Sequence, residues 1–488
     1  MDPRMKDGAG VRPAPETAAQ RRARFPTLSP AGRRMLAFLR RHPHAPIYRN
    51  HSGNRLLAHE IALVRAFEEE VAATPPDWTP GRPPGWVMPF VAKAFATVPF
   101  YRALGSPPRR LDELAPVARA DLAADVARFV PDHVDTRRLL AFQTTGTTGH
   151  PLLVPSHPLV AARYAAFHKR ALRRAGIVPN HGAGQVGVVL LGFQRRCFTY
   201  VSVSPTMGES GLAKINLHPA DWRHEDDRAR YLDALAPEII AGDPISLRAY
   251  AALPCRHAPR AILSVSMALH AGLRRLLESR FGCPVLDIYS LNEVGPVAVH
   301  DEDAGGHLLL QPRLYVEILD ERGRPVAPGG RGEIAVTGGF NFCLPLLRYR
   351  TGDHAALVAG AEGPVLAGLC GRRPVRFYGR GQWWNNIDVT HALRPLPLSH
   401  FTLHQAADGS LLLGLARDAM AYAAAAQGAL APMFGEREIA VRPILAEDKV
   451  LQYSSDLAGA CQDGAPQHAA PAPGACHTGA STDGHADP

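Results

Sequence analysis

The sequence predicts an α/β protein: a large N-terminal domain with mixed, mainly parallel sheets flanked by helices, followed by a small α+β C-terminal domain. Three observations predict it. Short apolar runs ("QVGVVLL", "EIIAG", "AILSVS", "PVLDIYS") alternate with amphipathic stretches ("EDDRARYLDAL", "PISLRAYAAL", "LHAGLRRLLESRFG"). Strands separated by helices of that kind form parallel sheets covered on both faces. From about residue 310 the texture changes to "RLYVEILDERGRPVAPGGRGEIAVTG", strands broken by Gly/Pro turns, which predicts antiparallel sheet. A further break near "AGLCGRR" leaves about ninety residues to Leu457, enough for a small domain.

Composition bounds the rest. A chain of 488 residues with 46% hydrophobic and 20% charged residues is ordinary globular material with two or three domains. No apolar run approaches bilayer length, so no membrane span is expected. "MDPRMKDGAGVRP" has charges with no apolar stretch behind them, which argues against a secretory signal. Residues 1–50 hold eleven Lys/Arg against three Asp/Glu, so they account for nearly all of the net +9. That places the basicity in a leader and gives no reason to expect nucleic acid as a partner. The seven cysteines are scattered, with no C-x-x-C, as in reduced cytoplasmic proteins. Residues 1–25 read as a disordered leader. Residues 458–488, rich in Ala, Gly, Pro and His, read as a disordered tail.

The elements carry the chemistry in order. "QTTGTTGHP", Gln143–Pro151, lies between two apolar strand candidates. Bare glycine backbone and threonine hydroxyls suit the oxygens of a polyphosphate, or else a polar surface turn. The loop lacks both the P-loop pattern and G-x-G-x-x-G. A helix follows, with Ser156 or His157 as cap, Pro158 in its first turn and Gly176 as stop. In open α/β sheets ligands bind beyond the carboxyl ends of strands, which directs attention past "VLDIYS". There Tyr289 could stack on a flat base, and Glu293 offers a hard oxygen for magnesium or stands as a solvated loop carboxylate. "LPLLRYRTGDHAAL" then sets Arg348, Arg350 and Asp353 in an apolar run. Asp353 either makes a turn after Gly352 or accepts hydrogen bonds from a ribose.

The order Thr/Gly loop, Tyr-Ser-Leu-Asn-Glu, Tyr-Arg-Thr-Gly-Asp and Gly-Arg resembles the adenylate-forming superfamily of acyl-CoA synthetases, peptide-synthetase adenylation domains and luciferases. "VPFYRALG", the absence of lysine after the loop proline, and "PLLRYRTGD" resemble its phenylacetate-CoA ligase and capsule-biosynthesis branch. The resemblance implies an AMP-binding domain over 26–370 and a small mobile lid over 371–457. It implies that Thr144, Thr145, Gly146, Thr147, Thr148 and Gly149 hold ATP phosphates, with Thr147 and Glu293 at magnesium. Tyr289 flanks adenine, Asp353 binds ribose, and Arg372 of "CGRRPVRFYGRG" also reaches the ribose, with Arg373 and Arg380 as neighbouring choices. The catalytic lysine maps to Lys449, the sole lysine after residue 214 in a chain with only five.

What this implies is ATP-dependent activation of a carboxylic acid to an acyl-adenylate, then transfer to a thiol, with coenzyme A preferred. The acyl pocket is expected at Phe193 in "LLGFQRRCF" and at Ser264, Ser266 and Met267 in "SVSMALH". The acid itself is not legible. A carrier-protein or amine acceptor, a non-catalytic nucleotide-binding relative, and a homodimer stay open. Relatives place a Cys/His zinc site at the segments that hold Ser264, Ser266, His270, His300 and His307. Thiolates are missing there, so no structural zinc is expected. His150 is the histidine placed closest to phosphate.

Overall fold

The protein was analysed as a computed structural model that describes residues 16–143, 152–194, 197–267, 269, 271–370, 375–393, 395–396, 401–415, 417–435, 437–444 and 453–457. The strands are β1 (Leu140–Gln143), β2 (Leu153–Ser156), β3 (Val186–Gly192), β4 (Tyr200–Ser204), β5 (Ser210–Asn216), β6 (Ile239–Gly242), β7 (Ala261–Val265), β8 (Val285–Leu291), β9 (Gly295–Asp301) and β10 (Gly306–Leu309). They continue as β11 (Leu314–Leu319), β12 (Arg331–Gly338), β13 (Leu346–Gly360), β14 (Gly363–Cys370), β15 (Arg376–Gly379), β16 (Gln382–Asn385), β17 (Phe401–Gln405), β18 (Leu411–Leu415), β19 (Ile439–Pro443) and β20 (Tyr453–Ser455).

One twelve-stranded sheet runs β11-β12-β13-β14-β10-β9-β8-β7-β6-β3-β5-β4. Its β5-β3-β6-β7-β8 portion is parallel. Within this sheet every pairing among β8 to β14 is antiparallel. Both expected textures are therefore present, fused at β8 into a single mixed sheet, but antiparallel pairings outnumber parallel ones, so it is not mainly parallel. In β7, Ile262 packs with the core that includes Tyr250 and Phe281, whereas Ala261 and Leu263 pack on the opposite face with Phe167 and Ala171. That period of two, apolar on both sides, is why the parallel strands read as unbroken apolar runs.

The helix Pro158–Arg174 covers the second face. His157 caps it, its Nδ1 accepting the Leu159 N–H at 3.1 Å. Pro158 opens the first turn, and Gly176 at φ +70° ends the segment. Helices Asp227–Leu235, Pro244–Ala251 and Ala271–Phe281 connect the parallel strands, as expected.

A separate apolar core, including Val375, Phe377, Trp384, Leu413, Leu430 and Tyr453, belongs to the small C-terminal domain. There β19-β18-β17-β20 form a four-stranded sheet beside the helices Asn386–Leu393 and Ala423–Phe434.

Disorder through residue 25 is not what the described part of the leader shows: a helix spans Ala18–Arg24. Thr17 Oγ1 accepts the Gln20 N–H at 3.2 Å, and the Thr17 N–H reaches Gln20 Oε1 at 2.9 Å. Phe25 is buried with Met35, Leu39 and Tyr48. Composition hid this, because the helix is polar all round and one ring anchors it. Among the described residues no helix is long and apolar enough to cross a membrane.

Candidate active site

The parallel half ends where β8 turns into β9, and Glu293 sits in that turn. Gly295 follows at φ +77°, where a Cβ would lie 2.7 Å from the Phe340 ring, so only glycine fits this close reversal. Glu293 is 5% exposed, far from the solvated loop carboxylate that the sequence also allows. The Tyr349 hydroxyl donates to Glu293 Oε1 at 2.9 Å, and Arg119 Nη1 donates to the same oxygen at 3.3 Å. Tyr164 donates to the Asn292 carbonyl at 3.2 Å. Burial, then the charge of Glu293, pushes the Tyr164 and Tyr349 hydroxyls above the usual tyrosine range. Both therefore remain donors at neutral pH.

Across the site, the Tyr289 hydroxyl donates to Asp353 Oδ2 at 2.9 Å. Burial, then the Asp353 charge, holds Tyr289 well above its ordinary pKa. Asp353 reaches this position through a bulge. Glu333 pairs with His354 and Ala335 with Arg350, so Thr351, Gly352 and Asp353 face the single residue Ile334. Gly352 takes φ +81° at the bend. The Gly352 N–H donates to Glu333 Oε1 at 2.9 Å, the Asp353 N–H donates to Thr351 Oγ1 at 3.1 Å, and Thr351 Oγ1 donates to the Ile334 carbonyl at 3.0 Å. Bulges re-aim side chains in this way. Asp353 does follow a bend, but it also faces Tyr289 from it.

The two arginines of the run serve structure. Arg350 pairs with Glu333 at 2.7 Å. Arg348, at φ +48° and 1% exposed, donates to Glu317 at 3.2 and 3.3 Å, to the Leu114 carbonyl at 2.5 Å and to the Gly323 carbonyl at 3.1 Å.

Strands β1 and β2 pair antiparallel with Gln143 opposite Leu153, apart from the large sheet. Thr144, Thr145, Gly146, Thr147, Thr148, Gly149 and His150, which connect them, lie outside the described residues, as do His270, Arg372, Arg373 and Lys449. The hairpin is nevertheless tied to the β8–β9 turn. Buried Asn341 donates through Nδ2 to the Pro155 carbonyl at 3.1 Å and to the Glu293 carbonyl at 3.4 Å. Its Oδ1 accepts the Cys343 N–H at 3.1 Å.

Among the expected pocket residues, half-buried Phe193 follows β3, and its ring lies 5.8 Å from His218. Its carbonyl accepts from Asn385 of the small domain at 3.0 Å. Ser264 is fully buried beside Asp287 in the sheet, its hydroxyl without a hydrogen-bond partner among the described residues. Ser266 is exposed at φ +74°, and Met267 is half-buried. All four stand at carboxyl ends of parallel strands, with β6 between β3 and β7. His300 faces His307 across β9 and β10, and His307 Nε2 is 3.7 Å from Asp287 Oδ2.

Arg119 and Asn341 gave no signal in the sequence. Each lies more than forty residues from its partner at Glu293, and nothing around it marks a site. Tyr349 stands inside the Tyr-Arg-Thr-Gly-Asp motif and could have been named with Asp353.

No family model matches the chain. It is 37% identical over 112 residues to phenylacetate-coenzyme A ligase of Escherichia coli (strain K12), covering 22% of this chain and 24% of that relative. Phenylacetate-coenzyme A ligase of Pseudomonas putida is 37% identical over 97 residues, 19% of this chain and 22% of the relative. Phenylacetate-coenzyme A ligase of Thermus thermophilus is 27% identical over 318 residues, 59% of this chain and 66% of the relative. The matches thus span less than two thirds of these relatives. Among solved structures, 2-hydroxyisobutyryl-CoA ligase in complex with 2-HIB-AMP and CoA, in the thioesterification state, superposes with a TM-score of 0.50 at 18% identity. That match covers 82% of this chain and 91% of the ligase. The chain thus has the fold of that ligase structure, and in sequence it is similar to the phenylacetate-CoA ligases.

Proposed function

We propose that the protein is an AMP-forming acid–thiol ligase, with a small carboxylic acid, ATP and coenzyme A as substrates. The observation that carries this reading is the convergence of three distant segments. Asn341 ties the β1–β2 hairpin to the Glu293 turn, and Tyr289 is hydrogen-bonded to Asp353. An acidic group, an aromatic ring and a carboxylate with hydrogen-bonding capacity are what a nucleotide triphosphate and its counter-ion require at one place.

In the first half-reaction a carboxylate oxygen of the acid attacks the α-phosphorus of ATP. The bond from that phosphorus to the α,β-bridging oxygen breaks and pyrophosphate leaves. The protein's part is positioning and charge stabilisation. Asp353 accepts from ribose hydroxyls, and the Tyr289 hydroxyl keeps that carboxylate aimed. The Thr/Gly segment, 144–149, supplies backbone and hydroxyl donors to phosphate, with Arg372 at the ribose and Lys449 at the reacting oxygens. Glu293 suits magnesium: it is a buried hard-oxygen donor whose Oε2 takes no hydrogen bond among the described residues. Thr147 would join it. Magnesium bound there would neutralise phosphate charge. In the second half-reaction the thiol sulfur attacks the acyl carbonyl, a C–S bond forms and AMP departs. The segments at Phe193 and at Ser264, Ser266 and Met267 would line the acid's side.

The test is acid-dependent exchange of labelled pyrophosphate into ATP across a panel of aryl, hydroxy, fatty and amino acids. Exchange with some acid is expected, falling about 10²–10³-fold in Asp353→Ala. Folded protein that exchanges with none would overturn the reading. Thioester formed only with a carrier protein would move the acceptor away from coenzyme A.

A further inference from the structure

The arrangement around Glu293 holds more than a metal ligand needs. A carboxylate 5% exposed has lost most of its water, and in the nucleotide-free protein the charge is met by Arg119 at 3.3 Å, with Tyr349 on the same oxygen. Arg119 lies at the start of the helix Arg119–Ala124, 174 residues away in sequence, and is itself only partly exposed. A guanidinium there offsets part of the carboxylate's attraction for a divalent cation. Removing one partner of such a buried pair leaves an uncompensated charge.

We propose that Arg119 is a positioning residue that couples divalent-cation binding to nucleotide binding by charge exchange. Without nucleotide, Arg119 neutralises Glu293 and keeps the metal out. When metal and polyphosphate arrive together, the metal takes over Glu293, and the guanidinium is released toward the phosphate oxygens. The metal is thus disfavoured alone and favoured with ATP. By linkage, ATP and metal strengthen each other by the same factor. This rests on the function proposed above, because it needs a nucleotide at Glu293.

The experiment titrates Mn²⁺, followed by its electron paramagnetic resonance signal, into the full chain with and without a non-hydrolysable ATP analogue. In the unmodified protein Mn²⁺ should bind poorly alone and much better with the analogue. In Arg119→Gln, binding of Mn²⁺ alone should tighten about tenfold and the enhancement by the analogue should shrink by a similar factor. The gain should vanish in the Arg119→Gln/Glu293→Gln double variant. Arg119→Lys keeps the charge on a single-point donor and should fall between, which decides the matter if Arg119→Gln does not fold. Mn²⁺ affinities unchanged within twofold in both Arg119 variants would overturn the exchange, as would a gained site that survives Glu293→Gln. If the analogue binds no variant and not the parent protein, it is the proposed function that fails.

Discussion

Arg348 is the largest of the fully buried side chains among the described residues, and its surroundings explain how a cation survives there. Nε and Nη2 face Glu317, Nη2 also meets the Gly323 carbonyl, and Nη1 meets the Leu114 carbonyl. Burial still pushes the Glu317 carboxyl above its usual range, with Arg348 acting in the opposite direction. Arg348→Met would leave Glu317 unpaired and should destabilise by about 3–5 kcal/mol in urea unfolding, whereas Arg348→Met/Glu317→Leu should recover most of that loss. Tyr349 next to it points into the site. Tyr349→Phe removes one donor to an ionised group, worth about 1.5–3 kcal/mol, and should show as weaker Mg·ATP binding in calorimetry with the fold intact. Burial also pushes the thiols of Cys255 and Cys343 up to about 12 and those of Cys197 and Cys283 up to about 11. None of these four should be alkylated by iodoacetamide in native protein at pH 8, and all four should be alkylated in urea, as read by peptide mass spectrometry. Of these results, only the presence of reduced thiols that alkylate in urea follows from the cysteine pattern; their protection in native protein follows from burial. That Arg348 is structural while Asp353 faces Tyr289 could not be told from one apolar run containing both.

The bulge in β13 and the Asn341 bridge set the site at the level of elements. Replacing Asn341 with Leu should leave the large sheet intact, because its partners are two carbonyls at β2 and in the β8–β9 turn and the Cys343 N–H, none of them part of that sheet's pairing. It should lower pyrophosphate exchange by about 10²-fold through misplacement of the β1–β2 hairpin relative to Glu293. The parallel strands β6, β7 and β8 were legible because each is apolar on both faces, and the helix after β2 because His157, Pro158 and Gly176 punctuate it. The bulge was not legible: Thr-Gly-Asp is equally good turn chemistry, and register is a property of two strands. The helix Ala18–Arg24 was missed because nothing in it is buried.

At the scale of the whole molecule, several imidazoles are packed in neutral form. Burial lowers His157 and His300, and it takes His168 from the ordinary 6.5 to about 4. The unfolded chain therefore binds more protons than the folded one between about pH 6.5 and 4, so stability must fall as pH drops through that window. The melting temperature should decline over that range, and His168→Gln should flatten part of the decline in a calorimetric pH series. Alternation of apolar strands and amphipathic helices, set by periodicity along the chain, determined the fold class, the direction of the parallel strands and the end of the sheet at which a ligand is expected. The order of short motifs determined which superfamily to expect. Tertiary structure alone decided that Glu293 is buried against Arg119 and Tyr349, that Asn341 joins β2 to the Glu293 turn, and that Asp353 meets Tyr289. Those are contacts between residues 48 to 186 positions apart, created when β8 meets β9 and β13 folds back across the sheet, and local sequence carries no record of which distant partner fills a buried polar group.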